Sequence, residues 1–466
     1  MVSLSIALLS TVLIGWLIVG LLYPDWGPSR VHAALRGLFA FGVGAGVCSQ
    51  LSFLSLAAGG SSRGKVAFME AAALLFLMAL KGYRCRSKRQ PLEKNSAAPP
   101  PQGAFHRILR IIFLIALAAA VFSFLSLLFA SPHGRWDAWA IWNQRARFLF
   151  RAGEHWRDAF SPLLAWAHPD YPLLLPGFIV RCWKFMGGEN VLVPSLVAAL
   201  FTFGTVGILV SSLGVLRGRA QGLLAGLVLL GTPSFVSGGS SQYADVPLGF
   251  FFVSTLILLC LWNRWAKHPG LLVLAGGMAG LSAWTKNEGL LFLAAVGASL
   301  LGSIVLTRGW KEGFRAFFRF ALGLLPGFGV IFYFKGGLAP PNDPTSFSAL
   351  SSALPHLLDL SRYLLIGRAF ALGAIQFEGW PLILGCAFLL YPVFVGMRVE
   401  KENGLEWMML LSALFLMLAG YFLIFLLSPY DLTWHLGTSL GRLLLQLWPS
   451  VILVYFLRVR VPESHA

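Results

Sequence analysis

Ile111 to Ala130 reads IIFLIALAAAVFSFLSLLFA, and the seven residues that follow, Ser131 to Asp137, read SPHGRWD. An uncharged helix of about 20 residues rises about 30 Å, the thickness of a hydrocarbon core. The polar turn that follows then brings an arginine and an aspartate to the membrane surface. A block of this length predicts a membrane span, and the rest of the chain repeats the pattern.

Similar blocks run over Ser5–Tyr23, Ala34–Ala57, Val66–Leu80, Val191–Leu213, Ala220–Val236, Pro247–Trp262, Leu271–Trp284, Leu290–Leu306, Phe320–Phe334, Pro381–Val395, Trp407–Leu427 and Leu443–Leu457. The expectation is an all-α polytopic bundle of about 13 spans. The composition agrees: the 466 residues are 57% hydrophobic and only 12% charged, about half the charge of a soluble domain. The first block lacks a basic leading region and a small-residue cleavage site, so it reads as a retained helix.

A formal charge of +17 does not point to nucleic acid, because the basic residues punctuate the apolar blocks as topology determinants do. Cys48, Cys85, Cys182, Cys260 and Cys386 form no metal-type or redox-type spacing. Lys81–Arg110 holds Lys81, Arg84, Arg86, Lys88, Arg89, Lys94, Arg107 and Arg110 around a Pro- and Ala-rich centre, and reads as a cytoplasmic linker. Alternation from there places Arg217/Arg219, Arg264/Lys267, Arg308–Arg319, Arg398/Lys401 and Arg458/Arg460 on the cytoplasmic side. The segments Ser131–Asn190, Ser237–Val246, Gly336–Trp380 and Ser428–Arg442 fall outside. Four units follow: a three-helix membrane unit over 1–82, a linker over 83–110, a membrane core over 111–335, and C-terminal helices with outer loops over 336–466.

The informative polar residues are on the outer side. The first outer segment carries Asp137 between Trp136 and Trp139, then Arg145, Arg147 and Arg151, and ends His168-Pro169-Asp170-Tyr171-Pro172. Arginines on the outer side, against the usual bias, suggest phosphate or carboxylate partners, or snorkelling toward anionic lipid. Asp137 at headgroup depth suits a general base. Asp245 immediately precedes a span and can act there or cap the helix. Lys286 and Glu288 lie in Trp284-Thr285-Lys286-Asn287-Glu288-Gly289, pressed between two apolar helices at a cost unless paired or facing a cavity. They read either as a plain ion pair or as a phosphate-binding lysine with its neighbour. In the last segment, helical spacing puts His435, Ser439 and Arg442 on one face, with Arg442 placed to grip a phosphate or to snorkel.

These features, in this order, resemble the GT-C superfamily of membrane glycosyltransferases. The matching set is Asp137 just after a span, a long first outer loop ending Tyr171-Pro172-Leu173-Leu174, Asp245 before a span, and the turn Lys286–Gly289. It covers roughly Ile111–Phe334. The resemblance implies a GT-C-like bundle with short helices in the first outer loop, and transfer of a sugar from a polyprenyl-phosphate donor to a lipid, glycan or protein acceptor. Asp137 would be the catalytic base. Lys286, Arg442, His435 and Asp245 would serve donor binding, and His168, Asp170, Tyr171, Glu288 and Arg145 the acceptor and loop. The resemblance fixes no cofactor. A divalent metal is compatible with the family, and Asp137, His168, Asp170 and Asp245 could gather around one, although no clear ligand set is visible. The chain departs from the family in three extra N-terminal spans and in lacking a large soluble C-terminal domain. The expected setting is a bacterial cytoplasmic membrane with the site facing outside. A transporter or lipid flippase is the competing reading, but its charges would line the midplane of several helices. A lipid-linked sugar ligase or polymerase and a non-catalytic membrane scaffold are the remaining readings.

Overall fold

Why the chain forms a bundle follows from its helix lengths and from where its small residues fall. In a computed structural model, residues 2–60, 62–87, 103–265, 268–340, 354–375, 380, 382–398 and 404–460 are described. Most of the expected linker lies outside them. The described elements are helical, and the one β contact is an isolated antiparallel bridge between Met397 and Val459.

The long helices are α1 (Val2–Leu22), α2 (Arg30–Ala57), α3 (Arg63–Ser87), α4 (Ala104–Ala130), and, after the first outer segment, α7 (Leu192–Leu216), α10 (Asp245–Arg264), α12 (Glu288–Arg308), α13 (Trp310–Gly337), α16 (Gly404–Leu426) and α17 (Leu432–Arg458). Ten described helices are long and apolar enough to cross a membrane, and an eleventh span is formed if a bent pair counts as one. These support an integral, multi-pass membrane protein. The bent pair is α8 (Arg219–Leu230) with α9 (Pro233–Ser240), turned by 67° where a straight span was expected over Ala220–Val236. Pro233 opens α9, where its missing N–H costs no helical bond. At the break, Thr232 Oγ1 accepts from the Trp448 indole at 2.9 Å and Gly231 O from Trp380 at 3.0 Å, so the Gly231 carbonyl has a tertiary partner.

Of the thirteen expected spans, ten meet that length among the described residues, or eleven with the bent pair. The block at Leu271–Trp284 is α11 (Pro269–Thr285), only 17 residues, which works because it is buried among neighbours. Short helices were expected in the first long loop: there α5 (Asn143–Arg151) follows a π-helical turn at Ala138–Trp142, two 3-10 stretches follow, and α6 (Leu174–Met186) closes it as a buried helix. A helix that was not expected is α14 (Leu360–Ile375), in a segment expected to lie wholly outside. Arg362 of α14 donates to Phe425 O and Ser428 O, both at 3.0 Å, beside the start of α17. The chain then continues through α15 (Leu382–Val395), and Arg398 N donates to Arg458 O at 2.8 Å beside the end of α17. α14 and α15 thus both lie beside α17. Two arginines in a 16-residue helix concealed α14.

Close packing relies on glycine. Side chains at Gly15 and Gly44 would overlap the facing backbone of α2 and α1 respectively, the small-residue contact typical of membrane helices. The N-terminal three helices do not stand apart. α2 is buried in the bundle, with Phe41 against Phe201 and Phe250 at centroid distances of 5.1 and 6.2 Å. Arg181 of α6 is fully buried and pairs through both side-chain faces with Glu70 of α3, while donating to Thr11 Oγ1 at 2.9 Å and Ser10 Oγ at 2.7 Å of α1. The helix ends expected to be cytoplasmic also meet each other, as Arg264 forms a two-pronged ion pair with Glu406 at 2.8 Å and reaches Leu216 O at 3.0 Å.

Candidate functional site

Two turns far apart in sequence are joined at the opposite end of the bundle. Arg135 N, after α4, donates to Ser241 O at 3.2 Å, and Gln242 Nε2 donates to Pro132 O at 3.1 Å. Asn143 Nδ2 returns a bond to Gln242 Oε1 at 2.7 Å. The approach needs Gly134, whose φ is +76 and where any side-chain carbon would lie 2.7 Å from Ser241 O. This junction sets Asp137 beside Asp245.

Asp245 is the first residue of α10, but its side chain makes no cap bond. The capping role open to it in the sequence is not the one it takes. Its Oδ1 accepts from Lys286 Nζ at 3.0 Å and from Gln446 Nε2 at 2.6 Å, and its Oδ2 from Arg442 Nε at 3.0 Å. Arg442 then reaches Asp137 Oδ2 through Nη2 at 2.6 Å. Gln446, one turn beyond Arg442 on α17, accepts from the Tyr421 hydroxyl at 2.7 Å. Lys286 is held extended between α11 and α12 and also pairs with Glu288 Oε1 at 2.7 Å. Burial opposes its charge, but Asp245 and Glu288 outweigh that and raise its pKa above the ordinary lysine value. The cluster thus joins two cations to three carboxylates, and the Arg442 fork spans two of them.

The carboxylates differ in access. The Asp245 side chain is 3% exposed and engaged at both oxygens, whereas Asp137 is 15% exposed and is held at Oδ2. Asp245 therefore holds the two cations. Asp137 is the more accessible of the two carboxylates.

A second group lies beside Lys286. Asn287 Nδ2 donates to Asp170 Oδ2 at 2.6 Å, and Lys335 Nζ donates to Asn287 Oδ1 and to Asp170 O, each at 2.6 Å. Above it Trp142, Tyr171 and His168 form a stack, with centroid separations of 5.5 and 4.7 Å and near-parallel planes of 19° and 12°. Lys286 Nζ is 6.0 Å from the centre of the Tyr171 ring. Burial raises the pKa of the Tyr171 phenol. Arg145 is buried beneath this turn and donates to Ala167 O, His168 O and Tyr171 O at 2.7, 2.6 and 3.1 Å. Burial brings its pKa down to about 10, so it stays charged at neutral pH. Its bonds to carbonyls make Arg145 a brace of the loop. The outer arginines expected to seek anions do so within the protein: Arg151 pairs with Glu189 at 2.5 Å, and Arg147 lies 3.7 Å from the same carboxylate.

Asp137, Asp245, Lys286, Glu288 and Arg442 come together as one network, with Asp170, Tyr171 and His168 around Lys286. His435 does not join the network; its Nδ1 meets Ser428 Oγ at 2.7 Å and its ring packs on Phe425. Nor do Asp137, His168, Asp170 and Asp245 gather as ligands. Among the described residues no group of three or more His, Cys, Asp and Glu side chains is placed to hold a metal ion, and Arg442 occupies the place between Asp137 and Asp245 that an ion would need. Sequence reasoning assigned no role to Gln446, Tyr243, Asn287 or Lys335. Tyr243 places its ring 4.9 Å from the Arg442 guanidinium carbon. Lys335 was detectable on the ground that singled out Lys286, a lone cation at the outer end of an apolar helix.

Comparison of the chain with protein-family models, curated proteins and solved structures returned no match.

Proposed function

We propose that the chain is a glycosyltransferase with a GT-C-like architecture, transferring a sugar from a polyprenyl-phosphate donor to a lipid, glycan or protein acceptor at the outer face of the membrane. The observation that carries this reading is the arrangement of Arg442 between Asp137 and Asp245, with Lys286 on the other oxygen of Asp245. It sets a more accessible carboxylate beside two cations at helix ends, as transfer from a lipid phosphate demands.

In that reaction the acceptor hydroxyl attacks the anomeric carbon and gives its proton to Asp137. The bond between that carbon and the phosphate oxygen breaks, and the polyprenyl phosphate departs with the electron pair. Cations held in advance stabilise the charge that develops on the leaving oxygen. Lys286 and Arg442 supply them, oriented by Asp245, and the Arg442 Nη1 group has no partner among the described residues. One base and direct displacement predict inversion at the anomeric carbon. The exposed His168 ring at the end of the Trp142–Tyr171–His168 stack offers a face against which a sugar can pack.

The test is donor recognition. In lipid nanodiscs, polyprenyl phosphate should raise the melting temperature of the wild type, and polyprenol of the same length should not. Lys286→Gln should lose the response. Equal responses to phosphate and alcohol, or a response intact in Lys286→Gln, would contradict the proposal.

A further inference from the structure

The three N-terminal helices carry none of the cluster's charged residues, yet α2 reaches two of the turns that build it. Ser49 of α2 donates its hydroxyl to Leu173 O at 3.0 Å and accepts the Trp284 indole N–H at 3.1 Å, with both bonds buried. Leu173 lies two residues after Tyr171, and Trp284 two residues before Lys286. One side chain thus joins the turn bearing Asp170 and Tyr171 to the turn bearing Lys286 and Glu288.

The approach of α6 to α2 is built for this contact. A side-chain carbon at Gly177 would lie 2.7 Å from Ser49 Oγ, so the crossing point has no room for anything larger. One turn along the same face of α2, Phe53 packs on Trp284 at 5.4 Å between ring centres and on Phe334 at 6.1 Å. Phe334 precedes Lys335, the residue that holds Asp170 and Asn287. The Arg181–Glu70 pair then fastens α6 to α3 and α1, so the joint is fixed from both sides.

We infer that Ser49 and Phe53 are positioning residues: α2 sets the Tyr171 and Lys286 turns in register, and the N-terminal helices thereby hold the reaction geometry. The catalytic consequence rests on the glycosyltransferase reading; the mechanical coupling does not. Misplacing reacting groups by about 1 Å can cost about a hundredfold in rate, so a lost joint should show in kcat more than in donor KM.

The coupling is measured by ¹⁹F NMR on protein carrying 5-fluorotryptophan or 3-fluorotyrosine, with the Trp284 and Tyr171 resonances assigned by Trp284→Phe and Tyr171→Phe. Ser49→Ala should move both resonances, although Tyr171 makes no contact with Ser49 Oγ, and should lower kcat about tenfold with donor KM within about twofold. Ser49→Cys, which keeps a weak donor, should recover part of both effects. A Trp284 shift with Tyr171 unmoved would reduce the joint to local packing and overturn the inference, as would unchanged kcat in an active enzyme. If both resonances move while the wild type transfers no sugar, the coupling stands and the glycosyltransferase reading falls.

Discussion

Arg442 Nη2 lies 2.6 Å from Asp137 Oδ2, joining two residues 305 positions apart. The same guanidinium reaches Asp245 through Nε at 3.0 Å. A planar fork can hold two carboxylates at a fixed spacing, whereas an ammonium is a point charge on a flexible stem.

Arg442→Lys should therefore keep the charge and lose the spacing. Transfer should fall by at least about tenfold, since the donor phosphate and Asp137 would no longer be set by one rigid group. Steady-state transfer at matched folded protein measures this. A Lys variant as active as the wild type would mean that charge alone suffices.

Asp245 and Asp137 should separate when each is changed to asparagine. Asp245 is buried between two cations, and removing one partner of a buried pair costs about 3–5 kcal/mol. Among the described residues Asp137 has one ion-pair partner, and it is more exposed, so Asp137→Asn should be much milder. Thermal unfolding in detergent should rank Asp245→Asn well below Asp137→Asn. The reverse order would show that Asp245 is not the electrostatic centre of the cluster.

Glu70 and Arg181 give a test of the bundle itself. Glu70→Gln should destabilise by about 3–5 kcal/mol, because it leaves a buried guanidinium uncompensated. Replacing both residues with methionine should recover much of the loss. Equal destabilisation by the single and double changes would show that Thr11 and Ser10, not the charge pair, hold Arg181.

Sidedness rests on the basic clusters and can be read directly. Reporter fusions after Gln90 and after Gly309 should both report cytoplasm. Activity characteristic of the outer compartment at either position would place the Asp137–Arg442 cluster on the other face.

Much of the helical order was legible because uncharged blocks of membrane length leave few alternatives, as at Ile111–Ala130. The position and burial of α6, expected only as one of several short loop helices, and the existence of α14 were not, since Pro176, Arg181 and Lys184 in one and Arg362 and Arg368 in the other interrupt the hydropathy that marks a span. Both arginines that matter are paid for by tertiary partners, Glu70 in one case and backbone carbonyls in the other. Asp137, Asp245, Lys286 and Arg442 stood out singly because charge beside hydrocarbon is costly. Their pairing was hidden, as it depends on which helix ends meet. The spacing that put His435 and Arg442 on one face held no information about Ser428, which takes the histidine.

The most direct measurement of the central claim is sugar transfer by Asp137→Asn. The substitution keeps the shape of the side chain and removes the base, and general-base catalysis contributes about 10²–10⁴ in rate. Membranes containing a radiolabelled polyprenyl-phosphate sugar pool are assayed with wild type or Asp137→Asn at matched expression, and polyprenyl phosphate binding is followed in parallel by thermal shift. The account predicts transfer reduced by about a hundredfold or more with phosphate binding retained. Transfer near the wild-type level by Asp137→Asn would contradict it.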